Sequence, residues 1–159
     1  MKRALVPIVV LLLPAALAAQ QDADVLRANY TKREVFVPMR DGVRLFTAVY
    51  VPKDTTSRHP IVMTRTPYST NPYGGDRFRD SVGNQVRAYM RAAYILVYQD
   101  VRGRYMSEGE FVDVRPYVER KRSNRDTDET TDTYDTVEWL VRNVPFNNGR
   151  VGIRGTSYP

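Results

Sequence analysis

Apolar residues cluster in two segments early in the chain, residues 34–39 and 44–51, which are rich in β-branched and aromatic side chains. Segments of this composition are typical of β-strands. Asp41-Gly42, which lies between them, favours the positive φ angle of a tight turn. The pattern therefore predicts an antiparallel pair of strands at the start of the fold.

Two shorter runs, residues 60–64 and 94–98, are continuously apolar, as is typical of parallel strands that are covered on both faces. The prolines and glycines of residues 66–75 predict a loop after the first run. Residues 85–92 carry apolar side chains at helical spacing. This part of the chain is thus predicted to form a strand, a loop, a helix and a second parallel strand.

A second helix is predicted to begin after Asp132 as its N-cap and to end before Pro145. The charged residues 115–132, which have no periodic apolar face, predict a solvated loop before it. Asn148-Gly149 predicts a turn into a last strand over residues 150–154. The small Gly152 of that strand is expected to permit close backbone approach. The alternation of strands and helices predicts an α/β fold.

The N-terminal residues predict a targeting signal rather than part of the fold. Lys2 and Arg3 precede an apolar run that ends in Ala16-Leu17-Ala18, which suits a signal peptidase. We therefore expect a signal peptide over residues 1–18, the N-terminal portion of an incomplete domain over residues 19–159, and a secreted or periplasmic protein. The run is shorter than the roughly 20 residues of a membrane span, and an uncleaved anchor is the alternative.

The amino-acid composition limits the kinds of binding site and catalytic site that the chain can form. The 159 residues carry a net charge of +6, but basic and acidic residues are interspersed, which does not favour nucleic-acid binding. The absence of cysteine excludes disulfides, thiolate zinc sites and cysteine nucleophiles. The acidic residues 126–132 lack the glycine and terminal glutamate of a calcium loop, so no metal site is predicted. The single histidine, His59, is expected at the surface and is a poor candidate for a catalytic base.

The candidate chemistry lies at the end of the sequence, in Gly155-Thr156-Ser157-Tyr158-Pro159. A serine on a sharp turn from a strand into a helix, with glycine two residues before it, projects its hydroxyl above the sheet. The backbone N–H of the following residue then points toward a developing oxyanion. Pro159 stands where the commoner Gly-x-Ser-x-Gly pattern has glycine, although proline suits the first turn of a helix.

Six sequence blocks occur in order along residues 37–159. They are VPMRDGVRL at 37–45, RTPY at 65–68, QDVRGRYMSEG at 99–109, DTYDTVEWL at 132–140, NGRVG at 148–152 and GTSYP at 155–159. Together these blocks resemble the serine hydrolase family that includes Xaa-Pro dipeptidyl-peptidases, cocaine esterase, α-amino-acid ester hydrolases and glutaryl cephalosporin acylases. The family pattern is Gly-x-Ser-Tyr-x-Gly, so Pro159 is admissible.

The resemblance implies the N-terminal part of an α/β-hydrolase fold, truncated after the nucleophile strand. It implies that Ser157 is the nucleophile and that the Tyr158 backbone N–H and the Tyr68 hydroxyl are the oxyanion donors. The alternative for Tyr68 is a turn tyrosine that packs on the sheet. Asp100 and Arg102 are expected to form a structural ion pair that orders their loop.

The implied reaction is cleavage of a small ester, amide or short peptide through an acyl-enzyme, with no metal or organic cofactor. The family's triad acid and histidine follow the serine, so both are expected beyond residue 159. We therefore expect the 159-residue chain alone to be inactive. The alternative from another class is a non-catalytic or degenerate hydrolase scaffold that acts in binding.

Overall fold

The computed structural model describes residues 22–158, so the predicted signal peptide over residues 1–18 and Pro159 lie outside the described residues. Within residues 22–158 the chain forms three helices and five strands. In chain order these are α1 (22–29), β1 (Tyr30–Pro38), β2 (Arg44–Pro52), β3 (His59–Thr66), α2 (Asn84–Arg91), β4 (Ile95–Asp100), α3 (Glu129–Asn143) and β5 (Asn147–Ile153).

The strands form one mixed sheet in the order β1-β2-β4-β3-β5. β1 pairs antiparallel with β2, and β2 pairs antiparallel with β4. β3 pairs parallel with both β4 and β5, with Val62 opposite Leu96 on one side and Gly152 on the other. The predicted α/β fold, with antiparallel opening strands followed by parallel ones, is confirmed. The carboxyl ends of β3, β4 and β5 consequently share one edge of the sheet.

Helices cover both faces of the sheet. On one face α1 and α2 pack on a cluster that includes Leu26, Tyr50 and Val86, and on the other face α3 packs through Leu140 on β3 and β4. Every residue of β4 is buried. A strand covered on both faces favours apolar residues, which explains the continuous run in the sequence, and the two polar residues that end β4, Gln99 and Asp100, are buried with hydrogen-bond partners. None of the helices within residues 22–158 has the length and hydropathy that crossing a bilayer requires.

The predicted N-cap of α3 is wrong by one helical turn. Asp128, not Asp132, is the N-cap, and its carboxylate accepts a hydrogen bond of 2.8 Å from the Thr131 backbone N–H. The Thr131 hydroxyl in turn accepts one of 2.9 Å from the Asp128 N–H, which completes a capping box. Asp132 is turned inward instead, so the segment 115–132 is not solvated at its end.

Two expectations about β5 are also corrected. Asn148-Gly149 is not a turn before the strand but a bulge inside it, because Asn147 pairs with His59 and the next pairing joins Val151 to Ile61. Gly149 takes a φ of +79°, which suits a bulge glycine. A Cβ atom on Gly152 would lie 3.9 Å from the Ile61 carbonyl oxygen, an ordinary contact, so this glycine is not required by close backbone approach.

His59 is not a surface residue. It begins β3, only 3% of its surface is exposed, and its Nε2 lies 2.8 Å from the Asp54 carbonyl oxygen. The ring therefore closes the loop that leads into β3. The sequence did not indicate this, because the histidine follows a polar stretch and its partner is a backbone group.

Candidate active site

Three loops meet at the carboxyl edge of the parallel strands. The loop after β3 contains Tyr68, and the loop after β4 spans residues 101–128. The turn after β5 contains Ser157. Because β3 lies between β4 and β5, the end of β3 neighbours the ends of both other strands. In open α/β sheets this edge is where ligands bind.

Ser157 follows β5 after three connecting residues and is exposed. Its φ of +64° is in the left-handed region, which a residue with a Cβ atom adopts at a cost of about 1–2 kcal/mol. A serine held in this conformation on a sharp turn directs its hydroxyl away from the sheet. The geometry of the turn thus has the strained form that a nucleophile elbow requires.

Tyr68 lies two residues beyond the end of β3, and its backbone N–H donates a 3.1 Å hydrogen bond to the Thr66 hydroxyl. The side chain is 60% exposed, so it does not pack into the core as a turn tyrosine on the sheet would. Its ring instead meets the ring of Tyr158 edge to face, with 6.5 Å between centroids. The structure therefore brings Tyr68 and the residue after Ser157 into direct contact.

The Tyr158 side chain joins the turn after β5 to the loop after β4. Its hydroxyl accepts a hydrogen bond of 2.9 Å from the Val114 backbone N–H, and its ring lies 6.4 Å from that of Phe111. These contacts of the side chain hold Tyr158 in place, and its backbone N–H is the one that directly follows Ser157.

The expected ion pair between Asp100 and Arg102 is wrong. Arg102 turns instead to Asp41 and Asp132, with its Nη1 2.7 Å from Asp41 Oδ2 and its Nη2 2.7 Å from Asp132 Oδ1. Burial by itself would lower the pKa of Arg102, but hydrogen bonds to the two carboxylates outweigh it and raise the pKa. Arg102 thus clamps the β1–β2 turn and α3 to the loop after β4.

Asp100, the last residue of β4, is completely buried and is held by neutral donors. Its carboxylate accepts hydrogen bonds from the Thr70 N–H at 2.8 Å, the Tyr73 hydroxyl at 3.0 Å and the Met106 N–H at 3.3 Å. Burial raises the pKa of Asp100, and these hydrogen bonds oppose the rise only in part. The carboxylate therefore connects the loop after β3 with the loop after β4.

A buried polar network beneath the site was not predicted. The Gln99 side chain accepts a hydrogen bond of 2.7 Å from Arg65 Nε and donates to the hydroxyls of Thr47 and Thr136. Arg65 Nη1 reaches the Glu129 carboxylate at 2.8 Å. The signal in the sequence was the polar pair Gln99-Asp100 that directly follows an apolar run. Buried polar side chains of this kind are hydrogen-bonded and fix neighbouring elements.

The acidic residues considered for a calcium loop have other partners. Asp128 caps α3, Asp132 binds Arg102, and Glu129 binds Arg65. Over residues 22–158 no cluster of three or more acidic or histidine side chains is arranged to hold a metal ion.

Two cavities open beside the paired tyrosines. One, of about 400 Å³, is lined by Tyr68, Tyr98, Arg79 and Arg154 among others. The second, of about 170 Å³, lies between Tyr158 and α3. The arginines at these cavities were not singled out from the sequence, because isolated basic residues carry no pattern.

Comparison with known proteins connects this geometry to a family. The family model described as X-Pro dipeptidyl-peptidase (S15 family) matches residues 41–159. The cocaine esterase of Rhodococcus sp. (strain MB1 Bresler) is 35% identical over 135 residues, which are 82% of this chain and 20% of the esterase. A putative serine esterase of Mycobacterium tuberculosis is 30% identical over 136 residues, which are 77% of this chain and 20% of that protein. The chain thus spans about a fifth of the length of these relatives.

Solved structures agree with this assignment of the fold. An aminopeptidase from a marine sediment Thaumarchaeota archaeon has a TM-score of 0.71 at 38% identity, covering 99% of this chain and 24% of its own. An α-amino acid ester hydrolase has a TM-score of 0.69 at 38% identity, covering 97% of this chain and 25% of its own. These neighbours are α/β hydrolases, and the described sheet with its helices is the matching part of their fold.

Proposed function

Since the chain belongs to the X-Pro dipeptidyl-peptidase (S15) family, we propose that it is the nucleophile-bearing part of a serine hydrolase that cleaves ester or amide bonds through an acyl-enzyme. The observation that carries the proposal is the placement of Ser157 in a left-handed turn directly beyond β5, beside the loop of Tyr68 at the end of the adjacent parallel strand. The relatives are hydrolases by name, which supports the reaction class.

In the proposed reaction the Ser157 hydroxyl oxygen attacks the substrate carbonyl carbon and its proton passes to an imidazole base. The bond to the leaving alcohol or amine then breaks, the proton is returned to that group, and water repeats the sequence on the acyl-serine. The Tyr68 hydroxyl and the Tyr158 N–H donate hydrogen bonds to the oxyanion, and loss of one such donor costs about 3 kcal/mol of transition-state stabilisation.

The base in this proposal is not His59. His59 begins β3 at the opposite end from Tyr68, and the seven residue steps to Thr66 correspond to roughly 23 Å at 3.3 Å per residue. A side chain hydrogen-bonded to a loop carbonyl at that end of the sheet cannot reach Ser157. We therefore propose that the histidine and acid of the triad come from residues outside 1–159, and that residues 1–159 alone do not turn over substrate.

The proposed substrate is a small ester, an amide or a short peptide. The relatives include an esterase for cocaine, an aminopeptidase and an α-amino acid ester hydrolase, and the residues described here do not favour one of these over the others. No nucleic-acid partner is proposed.

A fluorophosphonate probe, which reacts covalently with an activated serine, tests the nucleophile. The full-length protein is the complete translation product of the gene, including any residues after 159. We expect it to be labelled at Ser157, and we expect its Ser157→Ala variant to lose the label. Residues 19–159 expressed alone should remain unlabelled. Labelling that persists in Ser157→Ala would contradict the assignment of Ser157 as the nucleophile. Efficient labelling of residues 19–159 would contradict the proposal that the catalytic base lies outside these residues.

We also propose that residues 1–18 direct export and are cleaved after Ala18. The N-terminal sequence of the protein recovered from the periplasm or the culture medium should begin at Ala19. A protein retained in the cytoplasm with Met1 or Lys2 at its N-terminus would contradict this proposal.

A further inference from the structure

The loop that carries Tyr68 is fixed on both sides of that residue. The Pro67 carbonyl oxygen accepts a hydrogen bond of 3.1 Å from Arg104 Nε, so the loop after β4 holds the residue before Tyr68. The Ser69 hydroxyl lies 2.9 Å from the Tyr73 hydroxyl, which holds the residue after it. The residues before and after Tyr68 are therefore both held by contacts with other parts of the chain, while the ring of Tyr68 is exposed.

The conformation after Tyr68 has to be imposed by its surroundings. Ser69 has a φ of +82°, which is unfavourable for a residue with a Cβ atom. The Tyr73 hydroxyl that contacts Ser69 donates to Asp100 Oδ2, and the Thr70 N–H donates to Asp100 Oδ1. The Ser69 hydroxyl also accepts a local hydrogen bond of 3.2 Å from the Asn71 N–H, but the two contacts that tie this segment to the rest of the fold lead to the same buried carboxylate.

Asp100 also reaches the loop after β4. Its carboxylate accepts from the Met106 N–H, and its backbone carbonyl accepts a hydrogen bond of 2.6 Å from the Ser107 hydroxyl. One residue at the end of β4 consequently sets the position of the Tyr68 loop relative to the loop that contacts Tyr158.

We propose that Asp100 is a positioning residue that places the Tyr68 hydroxyl for the oxyanion formed at Ser157. This inference rests on the proposed function, because it assumes that Tyr68 stabilises the product of attack by Ser157. Asp100 itself is buried beneath the loops and acts through Tyr73, Thr70 and Met106.

The chemistry of the side chain supports a carboxylate at this position. Three donors converge on it, and only an ionised carboxyl group accepts all three without presenting a donor of its own. An asparagine of the same size would direct its NH₂ group at one of the donors. Among residues 22–158 no cationic side chain pairs with this carboxylate, and Arg102, two positions along the chain, binds Asp41 and Asp132 instead. Such burial is costly for folding, as the raised pKa of Asp100 reflects, which favours a functional reason for retaining it.

A matched control is available in Asp128. It is likewise a buried carboxylate that accepts backbone hydrogen bonds, from Thr131 and Val118, but it also pairs with Lys121 at 2.8 Å, and it stabilises the start of α3 rather than the Tyr68 loop. Asp100→Asn and Asp128→Asn are therefore the same chemical change at equally buried positions.

The first experiment measures hydrolysis of p-nitrophenyl acetate by the full-length protein. We expect Asp100→Asn to lower kcat by about 10- to 100-fold, because small displacements of a catalytic group are costly, with KM changed much less. Tyr68→Phe should lower kcat by about 100- to 1,000-fold. The double variant should lose hardly more than Tyr68→Phe alone, because without the phenol there is nothing left to position. Tyr73→Phe, which removes one bond to Asp100 with little disturbance of the fold, should behave like a milder Asp100→Asn.

The second experiment does not depend on turnover. In the Ser157→Ala background, Asp100→Asn should abolish hydrogen-exchange protection of the Thr70 amide, whereas Asp128→Asn should leave it intact. Losses that add in the Asp100→Asn/Tyr68→Phe double variant, or a Tyr73→Phe variant with full kcat, would overturn this inference while leaving Ser157 as the nucleophile. Hydrolysis that survives Ser157→Ala would overturn the proposed function and, with it, this inference.

Discussion

Gly103 and Gly42 both have positive φ angles, +69° and +89°, yet their surroundings differ completely. A Cβ atom built on Gly103 would lie 2.1 Å from the Phe111 backbone nitrogen, whereas one on Gly42 would meet nothing within 4 Å. Gly103 therefore allows the loop after β4 to fold against itself, while Gly42 serves only the conformation of the β1–β2 turn.

The two positions allow conformational strain to be separated from steric overlap. We expect Gly42→Ala to reduce the free energy of unfolding by about 1–2 kcal/mol, the cost of the left-handed conformation. Gly103→Ala should cost roughly 1–3 kcal/mol more, because the Phe111 backbone has to move as well. Urea denaturation of both variants tests this. Equal losses would show that the loop after β4 can open without cost.

The residue scale also shows where sequence reasoning was limited. The Gly-x-Ser block predicted a strained turn, and the positive φ of Ser157 has that form. The partners of Asp100 and Arg102 could not be predicted, because proximity along the chain suggested that they pair with each other. In fact their side chains bind residues 27 to 61 positions away, besides Met106 at six positions from Asp100, and only the folded topology brings the distant ones together.

At the scale of elements, α3 shows how a cap responds to pH. Burial disfavours ionisation of Asp128, but hydrogen bonds from Lys121 and from the backbone N–H groups outweigh it and lower its pKa from 3.8 to about 2. A carboxylate with a lowered pKa in the folded state stabilises the fold above its unfolded pKa, and this stabilisation is lost as the pH falls toward 2.

This linkage gives a prediction for Asp128→Asn. Between pH 5 and pH 2 the unfolding free energy of the wild-type protein should fall by on the order of 2 kcal/mol more than that of the variant. Other carboxylates also contribute, so the difference between the two proteins, measured by denaturation at each pH, is the informative quantity. Parallel pH profiles would contradict the lowered pKa.

The existence and type of the elements followed from the sequence more reliably than their limits. Apolar runs predicted β3 and β4 because a strand buried on both faces favours apolar side chains, and a polar side chain there needs a hydrogen-bond partner. The start of α3 was misplaced because Asp128 and Asp132 are equally good caps by residue type. What decides between them is Thr131, which completes the capping box, and Arg102, which draws Asp132 inward.

At the scale of the whole molecule, β5 has a neighbour on only one side within residues 22–158. Its terminal residue, Ile153, is 57% exposed. An unpaired strand edge with an exposed apolar side chain is a template for association with another chain.

We therefore expect residues 19–159 expressed alone to self-associate in a concentration-dependent manner. Ile153→Lys, which places a charge at this edge, should shift the sedimentation coefficient toward that of the monomer. Val25→Lys adds the same charge to a 40% exposed position on α1 and should have little effect. Equal effects of the two substitutions would indicate a general influence of charge rather than pairing through β5.

The strand order has a consequence in time as well as in space. β5 is the last of the described strands to be synthesised, and it docks against β3, whose other edge is already occupied by β4. Chains emerge from the ribosome N-terminus first, at about 5–20 residues per second. The loop of Tyr68 and its anchor Asp100 thus leave the ribosome 57 residues before Ser157 does. Ser157 is therefore the last of these residues to emerge, and the neighbouring loops can fold before it does.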